Sequence, residues 1–287
     1  MSKDTAASIR ARLLAVAKAQ NTDFDQLLVR FALERMLYRL GVSPYAQRFL
    51  LKGALLFAMW YDMPHRPTRD TDLLGFGAPD HAAIKEVFRE IASIAVDDGI
   101  VFSAQHIDVA EIRKSAGYTG VRVVFGAQLS GARCKVQIDI GFGDAVTPEP
   151  VEAAYPTLLA DLPAPKLCTY PVYTVVAEKL HAIVLLGMVN TRLKDYYDIS
   201  VILQRETLNY GVLAMAIAAT FERRGTAVPQ DLPIGLSEEF ASDAQKQLQW
   251  KAFLSKNGLP LMPLGQCVAS LGDMYAKINY YYKNSKL

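Results

Sequence analysis

The chain has 287 residues, of which 51% are hydrophobic and 21% charged. That is enough apolar material for one large or two modest cores, and it excludes a disordered chain. A net charge of +2, with the second half slightly the more basic, argues neither for nor against nucleic acid. Cys134, Cys168 and Cys267 are far apart and form no C-x-x-C pair, which excludes a disulfide framework and a zinc signature. The N-terminal stretch lacks the apolar core of a signal peptide, and runs such as LLFAMWY are too short for a bilayer. The expectation is a soluble, cytoplasmic protein without a membrane partner.

Helical spacing of apolar residues predicts helices over 5–19 and 24–40; Leu27, Leu28, Phe31, Leu33, Met36, Leu37 and Leu40 form the stripe of the second, and Gly41 closes it. A short helix opening at Ser43-Pro44 leads to FLLKGALLFAMWYD, which reads as helical and is interrupted by Gly53. TDLLGFG, IVFSAQHIDVAEI, GVRVVFGAQL and RCKVQIDIGFG then alternate with period two and read as strands; a helix over 79–96 separates the first from the second. The last three follow closely enough to be antiparallel. Residues 147–171 hold six prolines and read as an extended crossing segment. Helices are expected again over 174–187, 191–205, 207–224, 238–255 and 266–282; the last is basic and tyrosine-rich and reads as packing on its neighbours. The fold class is therefore α+β: a small mixed or antiparallel sheet with helices over 1–165, then a helical domain over 166–287.

Asp70 and Asp72 share one side of a strand, where they repel unless a cation sits between them. Mg²⁺ or Mn²⁺ suits such oxygen ligands, keeps its waters, and is completed by substrate phosphates. Asp139, on the polar side of CKVQIDI opposite Val136, Ile138 and Ile140, is the candidate third carboxylate. Lys52-Gly53 precedes a helical stretch whose backbone N–H groups suit a phosphate. In VVAEKLHAIVLL the polar residues are Lys179 and, less prominently, His181; the lysine either reaches water along its stem or anchors a triphosphate. In NTRLKDYYD, Arg192 and Lys194 oppose the dipole of a helix start. They call for an anion, either a phosphate or the nearby Asp195 and Asp198.

Taken together, Lys52-Gly53, Arg66-x-Thr68-x-Asp70-x-Asp72, Glu178-Lys179-Leu180-His181-Ala182 and Arg192-Leu193-Lys194-Asp195-Tyr196-Tyr197-Asp198 resemble the AbiEii/AbiGii-type nucleotidyltransferase toxins, which include the mycobacterial MenT toxins. The resemblance implies a polymerase beta-like nucleotidyltransferase domain followed by helices, in a toxin–antitoxin or phage-defence setting with an antitoxin or antitoxin-repressor nearby. It implies metal binding by Asp70 and Asp72, joined by Asp139 on the logic of the fold. It implies contacts to an NTP from Lys52, Gly53, Thr68, Lys179, Arg192 and Lys194, and roles for Asp195 and Asp198 in orienting the acceptor, a base or the lysine. Relatives carry Gly-Gly or Gly-Ser where this chain has Gly53-Ala54, and Thr68 is in some relatives a site that an antitoxin phosphorylates. The expected reaction moves an NMP from an NTP to an RNA acceptor, with the tRNA 3′ end leading. Two alternatives stand beside it: γ-phosphate transfer on the same fold, and a non-catalytic nucleotide-, RNA- or partner-binding protein.

Overall fold

The structure is a computed structural model and describes residues 3–61, 70–114 and 118–285. It comprises two compact units, one of residues 1–143 and 151–169, the other of residues 144–150 and 170–287. The division therefore falls at several points around the proline-rich segment rather than once at 165.

In the first unit, helices α1 (Lys3–Ala19) and α2 (Phe24–Val42) precede the sheet. Asp23 caps α2 by accepting from the Gln26 N–H, which satisfies one of the donors left open at a helix start. Then come β1 (Phe49–Lys52), α3 (Leu55–Tyr61), β2 (Thr71–Gly75) and α4 (His81–Ser93). Strands β3 (Ile100–Phe102), β4 (Asp108–Lys114), β5 (Tyr118–Leu129), β6 (Ala132–Phe142), β7 (Val151–Ala154) and β8 (Lys166–Thr169) follow. The sheet order is β3-β5-β6-β2-β1-β8-β7, with β4 also paired to β5. It is mixed: β2 runs parallel to β6 and β1 to β8, while β3–β5, β4–β5, β5–β6, β1–β2 and β7–β8 are antiparallel.

FLLK and the proline-rich segment depart from the sequence reading. FLLK is strand β1, not the start of a helix. All four of its residues are buried, and the short apolar run Phe49-Leu50-Leu51 has the periodicity of neither structure. The proline-rich segment supplies β7 and β8, so it pairs with the sheet instead of merely crossing.

The β5–β6 hairpin turns on Ser130 and Gly131, both at positive φ (44° and 83°), the two-residue turn whose twist suits antiparallel strands. That turn pairs Leu129 with Ala132 and thereby fixes every later pair, including Arg122 with Asp139. One residue away on the opposite face, Leu51, Leu73, Ile140 and Val121 form an apolar row across β1, β2, β6 and β5, each at most 1% exposed. Burial of each such side chain contributes about 1.5–3 kcal/mol, so a slip in register would forfeit the whole row.

Helix α2 packs against β6 and β8 and carries a buried ionic cluster. Arg39 donates to both oxygens of Asp98 at 2.6 and 3.0 Å and to the Ile94 carbonyl. Arg35 donates to the Pro163 carbonyl, and Glu34 accepts from the Leu158 N–H at 2.7 Å. These bonds tie two loops to the helix where the apolar core ends.

The second unit is helical: α5 (Val172–Leu186), α6 (Leu193–Arg205), α7 (Tyr210–Arg223), α8 (Glu238–Ser242), α9 (Ala244–Lys256) and α10 (Leu264–Ser285). The single helix expected over 238–255 is two, because the Asp243 carboxylate caps α9 by accepting from Lys246 N–H. Residues 172–189 are long and apolar enough to cross a membrane by composition, contrary to the sequence reading. Yet α5 packs within this unit against α6 and α7, as a core helix does.

Burial pushes the Glu34 carboxyl up to about 7, with Arg35 opposing. Between about pH 4.5 and 7 the folded protein holds a proton that the unfolded chain has released, so this contribution to stability is full below that window and is lost as pH rises through it. Melting curves across that range are expected to show the loss in the wild type and its absence in Glu34→Gln.

Candidate active site

Strand register lines up four charged residues on one face of the first unit. Lys52 on β1 faces Asp72 on β2; Asp72 faces Asp139 on β6; Asp139 faces Arg122 on β5. Directly paired residues share a face of the sheet, so the row reads cation, carboxylate, carboxylate, cation. Lys52 and Asp139 are buried at 8% and 6% exposure, while Asp72 and Arg122 are partly open. Asp70 lies one residue before β2, also partly exposed. Thr68 and Arg66 lie outside the described residues.

Arg122 grips Asp139 with both ends of its fork: Nε and Nη2 each donate to one carboxylate oxygen at 2.8 Å. This is the short, charge-assisted, bidentate pair that arginine forms and lysine cannot. The Asp139 hydrogen bond holds the Arg122 guanidinium pKa above its ordinary value against the opposing effect of burial, and the charges of Asp139, Asp70 and Asp72 add to it. All three carboxylates therefore act on this one cation. Among the described residues no three His, Cys, Asp or Glu side chains are grouped to share a metal ion. Arg122 was not singled out from the sequence; the alternation of GVRVVFG, which sets Arg122 against its valine neighbours, was the available signal.

Gly53 follows β1 with φ of +76°, a left-handed conformation that side-chain-bearing residues rarely adopt. A Cβ there would lie 2.4 Å from Asp72 Oδ2 and 2.9 Å from Asp72 Cβ. Its glycine is thus required by the carboxylate it borders. Helix α3, which follows, has seven residues, too few for a strong dipole at its start.

The second unit carries its own charge network. Lys179 on α5 donates to Asp195 Oδ1 at 3.0 Å and to Asp198 Oδ2 at 2.7 Å, both on α6. Arg192 Nε donates to the other Asp195 oxygen at 2.7 Å. Both aspartates have 0% exposure. Burial alone would raise the Asp195 carboxyl, but Lys179 and Arg192 together hold it below the usual carboxylate range. The aspartates thus answer the charge excess at the start of α6, while Lys194 and the Arg192 side chain remain exposed.

The loop before α6 is pinned by a residue the sequence did not flag. Lys246, buried on α9, donates to the Asn190 carbonyl at 2.9 Å, and Asn190 Oδ1 accepts from the Arg192 N–H at 2.7 Å. His181 faces a different set of partners. Its Nδ1 lies 3.2 Å from Arg224 Nη1, so it accepts there, which leaves Nε2 to donate to Thr226 Oγ1 at 2.9 Å. Burial, with Arg224 beside it, pushes its pKa down to about 4, so His181 is neutral at pH 7 and orients Arg224 toward Asp144 and Glu178.

Known proteins bear on this arrangement. The profile of the nucleotidyl transferase AbiEii toxin family, of type IV toxin–antitoxin systems, matches residues 35–270. The chain belongs to this AbiEii family. It is a nucleotidyltransferase, and the family's setting implies an NTP substrate and an antitoxin partner. Its fold is similar to two Helicobacter pylori crystal structures. One, assigned provisionally as a nucleotidyltransferase, is 14% identical with a TM-score of 0.50, over 90% of this chain and 96% of that one. The other, JHP933, is also 14% identical at a TM-score of 0.50, over 91% and 94%. No curated protein matches the chain.

Removal of the lysine from the second network takes from two buried carboxylates the cation they share and leaves Asp195 with Arg192. Lys179→Met is expected to cost about 3–5 kcal/mol at neutral pH, measured by urea unfolding. Without Lys179 the aspartate pKa values rise, so the deficit should shrink as pH falls and the carboxylates take up protons.

Proposed function

We propose that this AbiEii-family enzyme moves an NMP from an NTP to an RNA 3′ hydroxyl, with tRNA as the leading acceptor, and so blocks translation as the toxin of its pair. The observation that carries the reading is the row Lys52–Asp72–Asp139–Arg122, with Asp70 beside it: carboxylates crowded on one sheet face and flanked by cations. The donors are hard carboxylate oxygens, which fit Mg²⁺ or Mn²⁺, and the glycine at position 53 lets the Asp72 carboxylate lie against the backbone there. Asp70 and Asp72 would hold the ion, with Asp139 joining them once its oxygens are released by Arg122. Bound there, a divalent ion would activate the attacking hydroxyl and neutralise charge on the departing pyrophosphate.

The chain's own residues supply orientation and charge. Lys52 is a fixed positive charge at the edge of the row. Arg192 and Lys194, exposed at the start of α6, and Lys179 are the proposed triphosphate contacts in the second unit, and Asp195 and Asp198 hold the lysine in place. Thr68 is the proposed hydroxyl next to the D-x-D pair and the proposed point of antitoxin phosphorylation. The bond formed joins the RNA 3′ oxygen to the α-phosphorus, and the bond broken releases pyrophosphate. The proposed reaction belongs in the cytoplasm, where tRNA and NTP are found.

Incubation with total tRNA, Mg²⁺ and each α-labelled NTP is expected to label tRNA, and Asp70→Ala to abolish the label while retaining the wild-type circular dichroism spectrum. Label from γ- but not α-labelled NTP would replace nucleotidyl transfer with phosphoryl transfer; binding of NTP without either product would leave a binding protein. In the same assay Gly53→Ala is expected to reduce transfer at least about a hundredfold, since its Cβ displaces the Asp72 carboxylate and small displacements of reacting groups cost that much. Its backbone strain should also lower stability by about 1 kcal/mol or more, read from the same unfolding curves.

A further inference from the structure

We propose that Arg122 is a resident counter-cation of the carboxylate row: its guanidinium neutralises Asp139 until a divalent cation enters, and it then leaves Asp139 to meet the substrate's phosphates. The inference rests on the reading of Asp70 and Asp72 as cation ligands.

Asp72 and Asp139 are direct neighbours on adjacent parallel strands, about 5 Å apart at the backbone, where like charges are destabilising. A chain that folds without a metal therefore needs a cation already in place. Lys52 is paired to the Asp72 end of the row, and Arg122 to the Asp139 end. Arg122 donates to both Asp139 oxygens, so a cation approaching that carboxylate has to compete with the closed fork and meets its charge.

The pair is also built to open. The Asp139 side chain is only 9% exposed, whereas the Arg122 side chain is 40% exposed. The arginine therefore has somewhere to go and the aspartate does not. Once a divalent ion supplies the positive charge that Asp139 needs, the arginine loses its electrostatic reason to stay. A polyphosphate arriving at the row offers the planar, bidentate anion that a guanidinium prefers. Metal entry and the unlatching of Arg122 are then one exchange of cations, which leaves Asp139 with a positive partner before and after loading.

The test uses Mn²⁺ binding to the full chain without nucleotide, followed by electron paramagnetic resonance of the free ion. Arg122→Gln is expected to bind Mn²⁺ at least about tenfold more tightly than wild type, the size of effect one adjacent unit charge exerts on another. Arg122→Gln/Asp139→Asn should lose the gain. In the wild type itself, the Arg122 Nε–H resonance, assigned by its absence in Arg122→Lys, should lose its protection from solvent exchange on addition of Mg²⁺. That measurement serves even if the glutamine variant fails to fold. Mn²⁺ affinity equal to or weaker than wild type in Arg122→Gln, or an Arg122 resonance indifferent to bound Mg²⁺, overturns the proposal; a loss of Mn²⁺ binding in Asp70→Asn/Asp72→Asn would then leave the cation site standing. Failure of every form to bind Mn²⁺ overturns both.

Discussion

The first unit is organised around an electrostatic conflict. Two carboxylates, Asp72 and Asp139, are set side by side on neighbouring strands, with a third, Asp70, two residues from one of them. The sheet tolerates this because its register delivers a cation to each end of the row, and the register is held by the apolar row on its other face. Chemistry on one side and packing on the other are thus consequences of the same pairing. The Ser130–Gly131 turn sets that pairing locally, and the loss of buried Leu51, Leu73, Ile140 and Val121 that any slip would bring secures it globally.

The second unit solves a similar problem differently. Asp195 and Asp198 are fully buried, and a buried carboxylate is costly unless paired and hydrogen-bonded. Lys179 bridges both, and Arg192 completes one. Lys246 in turn fixes the loop from which Arg192 emerges. The aspartates of this network are fully buried, whereas Asp72, Asp70 and Arg122 in the first unit are partly exposed.

The sequence reading of Gly53 rests on its order in the chain, a glycine after a lysine and before a helix, which invites a phosphate cradle; what the fold adds is its close neighbour, the Asp72 carboxylate. The same stretch also hid a strand. Phe49-Leu50-Leu51 is a buried apolar run on a strand paired to β2 and β8, and so short a segment carries no alternation to read.

What the sequence by itself determined was set by local spacing. D-x-D at Asp70 and Asp72, the alternation that put Asp139 on the polar side of β6, the 3.6-residue stripes of the helices and the ordered motifs of the family all follow from side chains within a few positions of one another. What only the tertiary structure decided was pairing across distance. Strand register joined Arg122 to Asp139 and Lys52 to Asp72, and helix packing joined Lys179 to Asp195 and Asp198 and Lys246 to Asn190. Local periodicity specifies which face a side chain occupies, but which residue meets it there depends on how the elements pack, and a single chain read in order contains no direct record of that.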